Sequence, residues 1–184
     1  GFVTNEIVQH HDWLPTFLAM AGEPDVVPKL LHGYDAVGKR FKVHIDGYDL
    51  LPFLTEKGMR SPRKGLIYFN DDGDLVAVRF DNWKVVFMEQ RCVGTMKVWA
   101  EPFVPLRMPK LFNLRADPLE RADTTSNTYY EWFLAKTYML AAASGIVEEF
   151  LKTFKEYPPR QRAASFTIDQ ALEKMQAAIG SAGH

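Results

Sequence analysis

The chain has 184 residues, 47% of them apolar, and a formal net charge of −1 at pH 7. That suits one domain, or one domain plus a piece of another, with enough apolar material for a core. Lys and Arg are scattered rather than clustered, so the electrostatic footprint of a nucleic-acid or anionic-membrane binder is missing, and no apolar run approaches the ~20 residues of a transmembrane helix.

The single cysteine, Cys92, rules out an intrachain disulfide, so cysteine usage names no compartment. The sequence opens at Gly1 on GFVTNEIV, with no charged-then-apolar leader, and reads as a cut rather than a natural beginning. Val3 to Val8 suggests a short strand. In HHDWLPTFLAMAG, Asp12 is an N-cap, Pro15 falls in the first turn and Gly22 is a C-cap. Leu14, Phe17, Leu18 and Ala21 then form one apolar stripe on a short helix.

Glu23 to Lys42 reads as loop, broken by Pro24, Pro28, Gly33 and Gly38, with a short strand over Lys42 to Ile45. Asp46-Gly47 marks a turn. Gly47 to Thr55 carries Leu50, Leu51, Phe53 and Leu54 into a core. Glu56 to Lys64, charged and broken by Gly58 and Pro62, is the best domain boundary.

From Gly65 the pattern turns to strands: LIYF, the turn Asn70-Asp71-Asp72-Gly73, LVAVRF, the turn Asp81-Asn82, then WKVVFMEQ. Leu111 to Leu114 supplies a fourth strand. Arg91 to Lys110 is unusually apolar for a loop; it either packs on its own domain or covers another domain or subunit. After Leu114, Asp117-Pro118-Leu119-Glu120 has the pattern of a capping box opening a helix. Asn127 to about Tyr157 reads as one helix of roughly 45 Å, weakened at Gly145 and stopped by Pro158-Pro159. Thr167 with Gln170 predicts a last helix over Ile168 to Ala178. The expected fold is α+β: a small four-stranded antiparallel sheet packed with a long C-terminal helix.

His10, His11, Asp12, His44 and Asp46 are the one His/Asp grouping. A metal centre would need three or four of them to converge; otherwise Asp12 is a cap, Asp46 a turn residue and the histidines bond locally. Asn70, Asp71, Asp72 and Asp74 are better read as a hairpin turn than as a calcium loop. Cys92 has no base partner in view.

Four phrases carry a family resemblance: HHDWLPTFLAMAG, HIDGYDLLPFL, RFDNWKVVF and LFNLRADPLERAD. In this order they resemble the C-terminal portion of the sulfatase family, in the alkaline-phosphatase-like superfamily. EYPPRQRAASFTIDQALEKM is similar to a bacterial-type arylsulfatase branch. The resemblance implies hydrolysis of sulfate esters by a formylglycine made from Cys or Ser in a Cys/Ser-x-Pro-x-Arg motif. It also implies a calcium ion, held by Asp and Asn or Gln, and cationic groups around the sulfate. Cys92 is followed by Val93-Gly94-Thr95-Met96, without the Pro and Arg, and Asp81-Asn82 lacks the flanking residues of a calcium pair. No catalytic, cofactor-binding or metal residue is therefore assigned to this chain; calcium and formylglycine are expected upstream of Gly1.

On this reading residues 1–60 are the closing elements of the catalytic domain and 61–184 the C-terminal subdomain. Expected partners are the upstream catalytic domain and a second copy of the chain, through a helix face bearing Trp132, Phe133 and Tyr138. The resemblance makes a periplasmic or secreted location the expected one. The competing reading is a non-catalytic interaction or oligomerisation module. A small metal hydrolase built on His10, His11, His44 and Asp46 is a third. If residues 1–60 pack on an absent sheet, the stripe at Leu14, Phe17 and Leu18 should lie exposed.

Overall fold

A computed structural model describes residues 3–92 and 94–158. A 3₁₀ turn at His10–Asp12 leads into helix α1, Trp13–Met20. Gly22, at φ +93°, reverses the chain so that the Glu23 N–H reaches back to the Leu18 carbonyl at 2.8 Å. The buried side of α1 is Pro15, Thr16 and Ala19. The Thr16 hydroxyl donates to the Asp12 carbonyl at 2.6 Å and accepts from the Leu50 N–H at 2.9 Å. The expected apolar stripe is thus turned outward: Leu14 and Phe17 are 53% and 59% exposed. A Trp13–Phe17 ring stack lies on the same side.

Val3 to Val8 forms no strand. The expected loop from Glu23 to Lys42 holds a helix, α2 (Val26–His32), and a two-stranded hairpin, β1 (Tyr34–Ala36) with β2 (Lys39–Phe41). Pro28 is accommodated in the first turn of α2, where its missing N–H has no helical partner. No strand forms over Lys42 to Ile45. Helix α3, Leu51–Thr55, buries Phe53. Between β2 and α3 the chain passes so close to α1 that a Cβ on Gly47 would lie 2.3 Å from the His11 carbonyl oxygen.

The sheet is an antiparallel meander in the order β3-β4-β5-β6: Gly65–Phe69, Leu75–Phe80, Trp83–Gln90 and Phe103–Asn113. The register places Ile67, Val78, Val85 and Leu111 side by side on one face. Val78, Val85 and Leu111 have no accessible surface. The opposite face carries Tyr68, Ala77, Val86 and Phe112, with the Lys84 ammonium 4.7 Å above the Tyr68 ring. Strand β6 begins at Phe103, so much of the expected loop from Arg91 to Lys110 is strand; the remainder includes a 3₁₀ turn at Thr95–Trp99.

The Asp117-Pro118-Leu119-Glu120 step is a turn and not the start of a helix. Glu120 adopts φ +54° and pairs with Lys84 instead of closing a capping box. Helix α4 follows at Ala122–Thr125, its Ala122 N–H donating to Asp117 Oδ2 at 2.8 Å. The single helix expected over 127–157 is two, α5 (Tyr129–Leu134) and α6 (Tyr138–Glu156). Helix α6 runs through Gly145 without interruption and spans about 28 Å.

Phe133 and Ala143 face the sheet, buried to 2% and 0% exposure, and Trp132 stacks on Trp83. This corrects the expected association face: of Trp132, Phe133 and Tyr138, only Tyr138 points outward, at 60% exposure. The helix expected over Ile168 to Ala178 lies outside the described residues.

Candidate functional site

The expected His/Asp grouping converges on a residue that sequence reading passed over, Arg63. Asp12, at the junction of the 3₁₀ turn and α1, has no accessible surface. Its Oδ1 accepts from the Tyr48 N–H at 2.9 Å and Arg63 Nη2 at 2.5 Å; its Oδ2 accepts from the Gln9 N–H and Arg63 Nε, both at 2.8 Å. Every oxygen of the carboxylate is thus doubly occupied. Burial alone would push the Asp12 carboxyl up, but the donors from Arg63, Tyr48 and Gln9 outweigh it and hold it below the usual range.

Arg63 is 5% exposed and spreads its remaining donors over three elements. Nη1 donates to the Gly65 carbonyl at 3.1 Å; Nη2, with one N–H left after Asp12, lies 2.7 Å from the Asp46 carbonyl and 2.6 Å from His11 Nε2. The guanidinium plane lies 4.8 Å from the Tyr48 ring centroid. A planar fork of five donors can do this and an ammonium cannot. The His11 ring is held below its ordinary pKa by burial and by the adjacent guanidinium, against the opposing pull of Asp12 and Asp46. Protonating it would set two cations in hydrogen-bond contact.

The other predicted positions fall into place around this clamp. His44 Nδ1 lies 3.2 Å from Asp46 Oδ1 and its ring packs against Tyr157 at the end of α6. His10 does not join the cluster among the described contacts. Three of the five, His11, Asp12 and Asp46, are therefore gathered by a buried cation, and among the described residues no three His, Cys, Asp or Glu side chains converge as metal ligands.

The hairpin turn at Asn70 is confirmed by the Asp74 N–H donating to Asn70 Oδ1 at 2.7 Å. Asp81, at φ +47°, and Asn82 form the β4–β5 turn, with the Asn82 carbonyl taken by the Leu114 N–H at 2.7 Å. Cys92 is half-buried.

The carboxylates of the LFNLRADPLERAD stretch are also committed. Glu120 bonds Lys84 Nζ at 2.7 and 2.8 Å, and Asp123 Oδ2 lies 2.6 Å from Lys110 Nζ. Beside them the Tyr129 hydroxyl accepts from the Leu111 N–H at 2.9 Å and donates to the Leu111 carbonyl at 3.0 Å. That single side chain satisfies the outward backbone groups of an edge-strand residue. Asp12, Arg63 and Tyr129 thus spend their polar groups on joining separate segments of the chain.

Comparison with known families matches residues 61–178 to the C-terminal region of aryl-sulfatase. No curated protein matches the chain. Among solved structures, the PsFucS1 sulfatase from Pseudoalteromonas sp. superposes with a TM-score of 0.56 at 23% identity, over 80% of this chain and 26% of that one. At that identity the likeness concerns the fold: the four-stranded antiparallel sheet with its C-terminal helix. This chain spans about a quarter of the length of that sulfatase. The matched region covers well over half of the sequence, and the chain belongs to the sulfatase family, in the part that forms the C-terminal region of an aryl-sulfatase.

Proposed function

We propose that this chain is the non-catalytic C-terminal part of an arylsulfatase-like sulfuric ester hydrolase, whose formylglycine and calcium site lie upstream of Gly1. Residues 1–60 then close the catalytic domain and 61–184 form the subdomain beside it. The observation that carries the reading is the family match over 61–178.

The chemistry of the chain is consistent with it: Asp12, Arg63, Glu120 and Asp123 are each engaged in ion pairs. The outward face of α1 supports a docking role, since Trp13, Leu14, Phe17 and Met20 place four large apolar side chains in water. The upstream catalytic domain is the partner this face would meet. In the parent, a metal ion and cationic groups would stabilise charge on the transferring sulfuryl group. Family membership supports a periplasmic or secreted parent. The test is an aryl sulfate assay on the 184-residue chain with added calcium. No turnover is expected; turnover that disappears in Cys92→Ala overturns the reading.

A further inference from the structure

Strand β6 departs from regular pairing beside the Lys110 cluster. Val86 pairs with Lys110 and Met88 with Pro105, so one residue of β5, Phe87, faces four of β6. The extra length, Leu106 to Pro109, bows out of the sheet. Such bulges bend a strand and re-aim its side chains, and they gather at sites. Here the bow opens a cavity of about 350 Å³, bordered by Leu106, Met108 and Pro109 on one side and by Tyr129 and Tyr130 on the other. That volume lies within the range of small-molecule sites.

The charged groups of the cavity are Glu89, Arg91, Lys110 and Asp123. Lys110 Nζ is clasped between Glu89 Oε2 at 2.5 Å and Asp123 Oδ2 at 2.6 Å, and Arg91 Nε sits 3.0 Å from Glu89 Oε1. Two cations face two carboxylates. An inorganic anion or a metal ion therefore meets no uncompensated charge. Two features remain open. Arg91, 68% exposed in its side chain, engages Glu89 through Nε and leaves its Nη donors to solvent. Tyr130 is 59% exposed, and its ring is braced by Tyr129 at 5.4 Å in an edge-on arrangement.

We propose that this cavity binds a neutral sugar ring. A hexose combines what the lining asks for in one unit: a C–H face to lie on the electron-rich face of Tyr130, and a rim of hydroxyl oxygens to accept from the Arg91 Nη groups. The Met108 and Leu106 side chains close the apolar side. Tyr130 and Arg91 are the binding residues, and Lys110 with its two carboxylates is the rigid floor. The proposal does not rest on the hydrolase reading of the parent protein and survives or falls apart from it.

The experiment is saturation-transfer NMR on the 184-residue chain with methyl glucoside, methyl galactoside, maltose and cellobiose, each alone and with equimolar sodium sulfate. Transfer to ring C–H protons of at least one sugar is expected, unaffected by sulfate. Tyr130→Ala should weaken it about ten-fold or more, a loss near 1.4 kcal/mol, while Tyr130→Phe retains it. Arg91→Gln, a surface change that leaves the fold in place, should weaken it as well. Absence of transfer to all four sugars, displacement by sulfate, or equal transfer in Tyr130→Ala overturns the proposal.

Discussion

Arg63 ties together His11, Asp12 and Asp46 of the N-terminal segment. Its guanidinium and the Asp12 carboxylate are both removed from water, so truncating either leaves a buried charge without its partner. Arg63→Met should cost about 3–5 kcal/mol in urea unfolding, and Arg63→Lys should recover little of it, because an ammonium cannot span Asp12, Gly65, Asp46 and His11 together. A Lys variant as stable as the parent chain would refute this account.

His11 gives the same site a pH dependence. Its folded pKa is lowered, so the folded state binds fewer protons than the unfolded state between the folded value and the ordinary 6.5. Its contribution is fully present above the unfolded value and declines as pH falls below about 6.5. Asp12 works in a lower window: its stabilisation is present above the ordinary carboxylate value and is lost only as pH falls through its depressed folded value. Chemical-denaturation curves between pH 5 and 7.5 should therefore flatten in His11→Gln, with Asp12 contributing no slope there.

At the scale of elements, what was legible in the sequence was local. Asp12 and Gly22 bracketed α1 because caps act within a turn of the residues they serve. The hairpins around Asn70 and Asp81 were legible for the same reason. What was not legible depended on distant partners. The break between α5 and α6 falls at Ala135-Lys136-Thr137, none of them helix breakers. It follows from tertiary anchoring, with Tyr129 fixed on Leu111 and Trp132 on Trp83, and the Thr137 hydroxyl donates to the Leu134 carbonyl at 3.2 Å. Leu111 and Phe112 point to opposite faces of β6 and both are buried: Leu111 lies beside Val85, and the Tyr129 ring packs on Phe112.

Tyr129 also yields a prediction at this scale. Tyr129→Phe keeps the ring contacts and removes the hydroxyl, leaving the Leu111 N–H and C=O unpaired beside the core. The cost should be about 1–3 kcal/mol, with faster amide exchange at Leu111 than at Val85. Unchanged exchange at Leu111 would show that the hydroxyl is not what protects that edge.

At the scale of the whole molecule, the segment before Arg63 and the sheet and helices that follow it are joined at two places. Residues 3–60 contribute helices and a small hairpin; the sheet and α5–α6 hold the larger core. The two meet at Arg63 and again where α6 ends, with the Tyr157 hydroxyl on the Leu31 carbonyl at 3.2 Å and Glu156 on Lys42 at 3.3 Å. The grouping of histidines and aspartates was visible in the sequence, but its purpose was not, because the cation that gathers them stands 51 residues from Asp12. A buried acid at a helix start asks for a cation, and the Ser61-Pro62-Arg63 step at the expected boundary was the place to look for it.

That separation has a consequence for biosynthesis. Asp12 is added to the growing chain 51 residues before Arg63, and at about 5–20 residues per second the interval is about 3 to 10 s. During that time the carboxylate must stay hydrated, so α1 cannot settle into its final seat. The nascent segment waits with its Pro15, Thr16 and Ala19 side uncovered, and its docking is timed by the synthesis of the first residues of the following sheet.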